Sequence, residues 1–311
     1  MQDNTYFKFS KKNLATAWNT EIQPVEHNLG DHPLFSDEAL AELIEGNRHA
    51  IREISTMDPE REDHRSWKRG SHEGMNGREL IEAVRDGLLW VNIGNAGDYD
   101  PRYQAFIDQL LDTLQAQVPG LKTFNRHIGV LVSSPGARVF YHCDVPGQGL
   151  LHVRGEKTIW IYPDGDPFLP QEALERVVTG LTAEEIDYNP SFERHATRLH
   201  LTPGMGALWP LNWPHRVVNG NSLNVSVTIE YWTDEIRRHA LVNTANGVMR
   251  HVAGLNPRSR PITGPGYWTR AAFAAAWKLS GLGKRYREKY KAEFKVNQLS
   301  RSKQAFREAA E

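Results

Sequence analysis

Two short segments carry the side chains best suited to hold a metal ion. The first is Phe140-Tyr141-His142-Cys143-Asp144, and the second, Trp213-Pro214-His215, begins 71 residues after His142. On a strand, successive side chains point to opposite faces, so His142 and Asp144 share a face and Cys143 takes the other. That removes the thiol from the ligand set. One carboxylate and two imidazoles converging would form a triad with three adjacent coordination positions open, a donor set suited to Fe(II). Alone, an H-x-D tripeptide more often marks a packed or hydrogen-bonded strand histidine.

The neighbouring sequence adds weight. Thirteen residues after Asp144, Lys157 stands in the otherwise apolar run Thr158-Ile159-Trp160-Ile161-Tyr162-Pro163. A buried ammonium is costly without a partner, so it either snorkels to solvent or meets an anion. A 2-oxo dicarboxylate chelating the metal would present its far carboxylate to such a lysine, a charge-assisted contact.

These residues need elements to position them. Ser36 as a cap, with Leu40, Leu43 and Ile44 at helical spacing, predicts a helix to about Ile54. Pro59 to Gly77 reads as a loop, Gly77 to Arg85 as a helix stopped by Gly87, and Leu88 to Ile93 as a buried strand. Asp100-Pro101 opens a third helix that ends at Pro119-Gly120, so residues 1–120 form a mainly helical region. Residues 121–233 then change to short Val-, Ile-, Trp- and Tyr-rich runs punctuated by Pro-Gly and Asp-Gly pairs, the pattern of an antiparallel sandwich or barrel. An insertion from Pro170 to His195 holds a short helix. Asn224, Ser226, Thr228 and Glu230 alternate with Val225, Val227, Ile229 and Tyr231, so one face of that strand packs and the other is polar. Residues 234–311 read as a helical C-terminal region, with a helix beginning near Ala271.

The central segments resemble the JmjC-like, cupin-fold branch of the Fe(II)/2-oxoglutarate oxygenases, and the asparaginyl hydroxylase branch in particular. Gly155, Lys157 and Tyr162-Pro163 match the family's G-x-K strand and its Tyr/Phe-Pro turn. Pro203-Gly204, Pro210 and Trp213-Pro214-His215-Arg216-Val217 match its second half, P-G followed by W-x-H-x-V. The resemblance spans about Leu131 to Trp232. It implies a mainly β fold with helical flanks around a double-stranded β-helix, or jelly roll. It further implies His142, Asp144 and His215 as catalytic iron ligands, 2-oxoglutarate as cosubstrate on Lys157, and hydroxylation of a C–H bond with release of succinate and CO2. Ser226 and Thr228 fall on the strand the family turns toward the iron. Relatives often carry a hydroxyl three positions before the first ligand and an asparagine six positions after it, where this chain has Val139 and Gln148. Arg138, Tyr141 and Gln148 are therefore the further candidates for holding the cosubstrate. Glu230 stands about where the asparaginyl hydroxylases place an active-site Asn.

Composition narrows the setting. Of 311 residues, 37 are Lys or Arg and 38 Asp or Glu, a net charge of −1 that disfavours a bulk nucleic-acid or membrane-surface binder. A single cysteine excludes intrachain disulfides and cysteine-based zinc clusters. With neither a secretory-type start nor a membrane-length apolar run, a cytoplasmic protein is expected. From Lys278 to Glu311 ten basic residues face four acidic ones, read as a solvated helical face. His127, His152, His195 and His200 read as satisfied structural histidines. The expected partners are a small-molecule or protein substrate and, by analogy with relatives, a second copy docked through the C-terminal helices. The competing reading is a catalytically silent cupin-fold binding protein.

Overall fold

The computed structural model describes residues 6–9, 14–46, 51–57, 66–182, 186–286 and 291–297. Ahead of the barrel lie strands β1 (Phe7–Phe9), β2 (Gln23–His27), β3 (Ile51–Thr56), β4 (Lys68–Ser71) and β5 (Leu89–Ile93). Helices α1 (Leu14–Ala17), α2 (Asp37–Gly46), α3 (Gly77–Asp86), α4 (Ala96–Tyr99) and α5 (Pro101–Gln117) are interleaved with them. Eight strands follow: β6 (Phe124–Ser133), β7 (Arg138–His142), β8 (Gly147–Arg154), β9 (Lys157–Ile161), β10 (Thr197–Leu201), β11 (Met205–Trp209), β12 (His215–Asn219) and β13 (Asn224–Trp232). The insertion after β9 carries α6 (Gln171–Thr179). Helices α7 (Asp234–His251) and α8 (Pro265–Ser280) and the two-residue strand β14 (Phe294–Lys295) complete the described chain.

The eight central strands form a double-stranded β-helix. One sheet runs β11-β8-β13-β6 and the other β10-β9-β12-β7, and every pairing among them is antiparallel. This interleaved order is that of a jelly roll. The first sheet continues past β6 through β5, β3 and β4, and past β11 through β2 and β1, to make ten strands with β14. Strand alternation divides the side chains among three apolar layers. Leu151, Val153, Val225, Val227 and Ile229 pack outward against α2, α3 and α5, whose Leu40, Ile44, Leu80 and Leu110 are fully buried. Leu150, Phe140, Ile159, Ile161, Trp209 and Val217 fill the space between the sheets. Tyr141, Cys143 and Tyr162 lie on the outer face of the second sheet, beneath Leu174 and Phe192 of the insertion.

Several predicted boundaries hold. Asp100 caps α5 through Arg102 N with Pro101 in the first turn, and Asn76 and Glu79 form a capping box on α3. The helix expected to reach Ile54 does not: α2 ends at Gly46, and Ile51–Thr56 is a strand. Ile54 opposite Val91 and Thr56 opposite Leu89 supply a ladder with β5, a distant partner that overrides local helical spacing. The described residues of 1–120 therefore contribute five strands besides their helices. Part of the expected 59–77 loop is β4, while residues 58–65 lie outside the described residues. The C-terminal helices begin earlier than predicted, with α7 capped by Thr233. Of the basic tail, residues 287–290 and 298–311 lie outside the described residues. Among the described residues no helix is long and apolar enough to cross a membrane.

Candidate metal centre

β7 and β12 are neighbours, and their register places His142 directly opposite His215. The two rings lie 4.1 Å apart, centroid to centroid. The ladder slips between His215 and Val217, where three steps of β7, from His142 to Val139, face two of β12, so β7 carries a bulge, a device that re-aims side chains near functional sites. Asp144 follows two residues after His142, just past the end of β7. Its backbone carbonyl accepts from Asn212 Nδ2 at 2.6 Å, and Asn212 itself takes the left-handed conformation, φ 60°, in the turn before His215. That turn brings His215 Nε2 to 3.4 Å from Asp144 Oδ2. One ligand atom from each of His142, Asp144 and His215 falls within 4.8 Å of the others.

The donor chemistry fits a cation. His142 Nδ1 donates to Phe140 O at 2.7 Å and His215 Nδ1 to Trp213 O at 3.2 Å. A carbonyl can only accept, so both rings are held with the proton on Nδ1 and a lone pair on Nε2. His215 then turns a lone pair toward a carboxylate oxygen, which is favourable only with a proton or a metal ion between them. Burial, and then the nearby Glu230 charge, push Asp144 up to about 7. Burial and the neighbouring His142 hold His215 well below 6.5, ready to bind a metal as the neutral imidazole.

The three groups open onto a cavity of about 550 Å³ between the sheets. Lys157 lines it from β9 and is 4% exposed; its ammonium has no hydrogen bond or ion pair among the described residues. Burial alone lowers it to about 7. Gln148 and Thr228 also line the cavity, as expected, with Glu230 beside them. Gly129 makes room for Thr228: a Cβ there would lie 2.4 Å from the Thr228 hydroxyl.

Three other candidates sit elsewhere. Tyr141 points out of the barrel, and its hydroxyl donates to Phe168 O at 3.0 Å. Arg138 lines a small separate hollow with Tyr188 and Arg216 on that same outer face. Alternation on β7 explains Tyr141, since its neighbours Phe140 and His142 take the inward face. Ser226 does face between the sheets, yet its Oγ bonds His152 Nδ1 at 3.0 Å and it does not line the cavity. The sequence reading missed Glu53, Trp67, Arg69, Trp90 and Asn92, which form the cavity wall opposite Lys157's sheet. The strand containing Trp90 and Asn92 was legible, but only its pairing with β6 brings it here.

No family model matches the chain, and no curated protein does. Among solved structures, Escherichia coli YcfD aligns over 90% of this chain and 71% of its own, at 13% identity and a TM-score of 0.49. YcfD described as a ribosomal oxygenase in complex with cobalt and 2-oxoglutarate aligns over 89% and 69%, at 12% identity and 0.47. Its complex with cobalt and succinic acid aligns over 93% and 74%, at 12% identity and 0.44. A likeness this distant leaves the chemistry of the site to be argued from the side chains that build it.

Proposed function

We propose that the chain is an Fe(II)- and 2-oxoglutarate-dependent oxygenase that hydroxylates a C–H bond of a protein side chain or small metabolite. The observation that carries this reading is the pairing, in one cavity, of three side chains placed to hold a metal ion with a buried lysine that has no anion beside it among the described residues. His142, Asp144 and His215 would hold the iron, and Lys157 the far carboxylate of the cosubstrate. When bound, the iron and cosubstrate supply the oxidising chemistry that turns C–H into C–OH as 2-oxoglutarate becomes succinate and CO2. The protein's share is positional. The Nδ1 bonds fix the ligand rings, Gln148 and Thr228 offer polar contacts along the cosubstrate's path, and Trp209, 4.6 Å from the His215 ring, helps exclude water.

The asparaginyl hydroxylase branch in particular loses support, because Glu230 stands in place of that branch's amide. A silent binding protein is favoured by one observation: Val139, at the position where relatives carry a hydroxyl, presents an apolar side chain to the cavity. Anaerobic titration with Fe(II) and 2-oxoglutarate decides between them. The oxygenase reading expects a weak visible charge-transfer band that His142→Ala abolishes and, under air, succinate formation. A colourless wild-type protein, or a band that survives the substitution, overturns it.

The homodimer expected from the C-terminal helices remains a proposal. On α8 an outward stripe of Trp268, Ala272, Ala275 and Leu279 is exposed, with Trp268 at 62% and Leu279 at 88%. Turned antiparallel on a copy of itself, the stripe sets Trp268 against Leu279 and Ala272 against Ala275, the self-complementarity a two-fold interface requires. Sedimentation of the full chain with Leu279→Lys tests it: a mass unchanged from wild type excludes this contact.

A further inference from the structure

The barrel has a second hollow at the end away from the metal ligands. Gln148, Trp209 and Glu230 line the metal cavity from one end of β8, β11 and β13, whereas Arg154, Gly204 and Leu223 stand at the other ends of the same strands and line a separate cleft of about 500 Å³. That volume suits a small molecule. The segments after β2 and β8 and the turns before β11 and β13 enclose it, with the last turn of α3 beside them. Gly155 and Gly204, at φ 81° and 91°, keep two of these connections bare of side chains.

The charged side chains lining the cleft are Arg85, Arg154 and Asp31. The two guanidiniums converge on one carboxylate just outside it, that of Asp37. Arg154 Nη1 donates to Asp37 Oδ1 at 2.6 Å and to Phe35 O at 3.2 Å, and Arg85 Nη2 donates to Asp37 Oδ2. The arrangement suits the helix ends, since Asp37 opens α2 and Arg85 lies in the last turn of α3. One carboxylate offsets one of the two positive charges. The Nε of each arginine, with Nη2 of Arg154 and Nη1 of Arg85, has no partner among the described residues. Such a fork of donors takes a carboxylate in two parallel bonds. Asp31 belongs to the segment after β2 and is exposed, and it forms no ion pair with either arginine or with any other described residue. His27 adds no charge: its Nε2–H donates to Met205 O and its Nδ1 accepts from Leu29 N, both at 3.2 Å. With Asp37 counted, the cleft is neutral overall, with a basic part and an acidic part. A simple anion would meet Asp31 there, and a simple cation would meet the arginines.

We propose that this cleft binds a small zwitterion, whose carboxylate lies on Arg85 and Arg154 and whose ammonium group lies on Asp31. The proposal is independent of the oxygenase reading, because none of these residues lines the metal cavity. An α-amino acid and a longer-chain amino acid share this chemistry and differ in the spacing of the two charges.

Calorimetric titration of the full chain with four probes tests it. L-alanine is the short zwitterion and γ-aminobutyrate the long one, while butyrate and n-butylamine carry one charge each. At least one zwitterion is expected to bind about tenfold or more tightly than both single-charge probes. Whichever zwitterion binds more tightly identifies the source, and either supports the proposal. Asp31→Asn should bring that zwitterion down to the level of butyrate, and Arg154→Gln should weaken it about tenfold. Because Arg154 also holds Phe35 O, Arg85→Gln, on a half-exposed side chain, is the second arginine variant and is expected to act in the same direction. Lys157→Met, which removes the cation of the metal cavity, should leave zwitterion affinity unchanged; a loss there would put the ligand in that cavity and overturn the proposal. Single-charge probes that bind as tightly as both zwitterions, a margin that persists in Arg85→Gln and Asp31→Asn alike, or no binding of either zwitterion would overturn it as well.

Discussion

Each ligand imidazole is aimed by a carbonyl two residues upstream on its own chain segment, so the rings are set before any metal arrives. Asp144 behaves differently. With its carboxyl raised to about 7, metal binding near neutrality must expel a proton from it. Affinity for Co(II) is therefore expected to fall as pH drops below about 7, by up to about tenfold per pH unit, whereas His215 adds nothing there because it is already neutral. A flat Co(II) affinity between pH 7.5 and 5.5 would contradict this. Lys157 has the opposite sign. Its ammonium, lowered to about 7, is the form that holds a carboxylate, so 2-oxoglutarate affinity at saturating metal should fall as pH rises above about 7. Lys157→Met should weaken 2-oxoglutarate by about 10- to 150-fold, flatten that pH dependence and leave Co(II) binding intact. Direct titration checks all three effects at once. The triad and Lys157 could be singled out in sequence because the H-x-D, G-x-K and W-x-H-x-V spacings that resemble a known family's are local patterns. The placement of Arg138 and Ser226 could not, since each depends on which distant group, the outer hollow or His152, claims its position.

At the scale of elements, the insertion forms part of the cavity wall through Val177, Gly180 and Thr182, and α7 holds it in place. The Glu175 side chain on α6 is fully buried and accepts from Arg250 Nε of α7 at 2.8 Å, while Gln171 donates to Asn243. Gly247 lets the two helices close, since a Cβ there would come within 2.8 Å of Glu175 O. Removing the guanidinium strands a buried carboxylate, so Arg250→Met should cost about 3–5 kcal/mol in urea unfolding. Glu175→Gln in the same chain should recover part of the loss; equal stability of the single and double variants would assign the cost to packing instead. Sequence showed the short helix in the insertion but not what fastens it, because Glu175 and Arg250 lie 75 residues apart and look like ordinary surface charges. The same limit produced the wrong end for α2. Helical spacing around Ile51 and Ile54 is a local signal, and β5 outcompetes it from nearly 40 residues away.

Across the whole molecule, buried histidines set how the fold answers to acid. Burial lowers His27 to about 4 and His152 to about 3, so the folded chain keeps both neutral while the unfolded chain protonates them near 6.5. Their contribution is intact above pH 6.5. It drains away as pH falls through that value, by up to about 1.4 kcal/mol per pH unit for each group, and levels off near their folded values. Urea midpoints measured from pH 8 to 4 should decline steadily below 6.5 in the wild type. The decline should be shallower in His27→Gln, and parallel slopes would remove His27 from the account. An antiparallel sandwich or barrel was readable from short alternating strands with Pro-Gly turns, and the jelly roll was what the family resemblance implied. Its widening to ten strands was not readable, since β5 was legible as a strand but not its pairing with β6, and β3 falls where the local signals are helical. That extension divides labour along the polypeptide. The candidate metal ligands are His142, Asp144 and His215, whereas Glu53, Trp67, Arg69, Trp90 and Asn92 build the opposite cavity wall and Val177, Gly180 and Thr182 add to it from the insertion. Substitutions in either peripheral stretch can therefore reshape the space before the three-ligand cluster without touching the residues that form it.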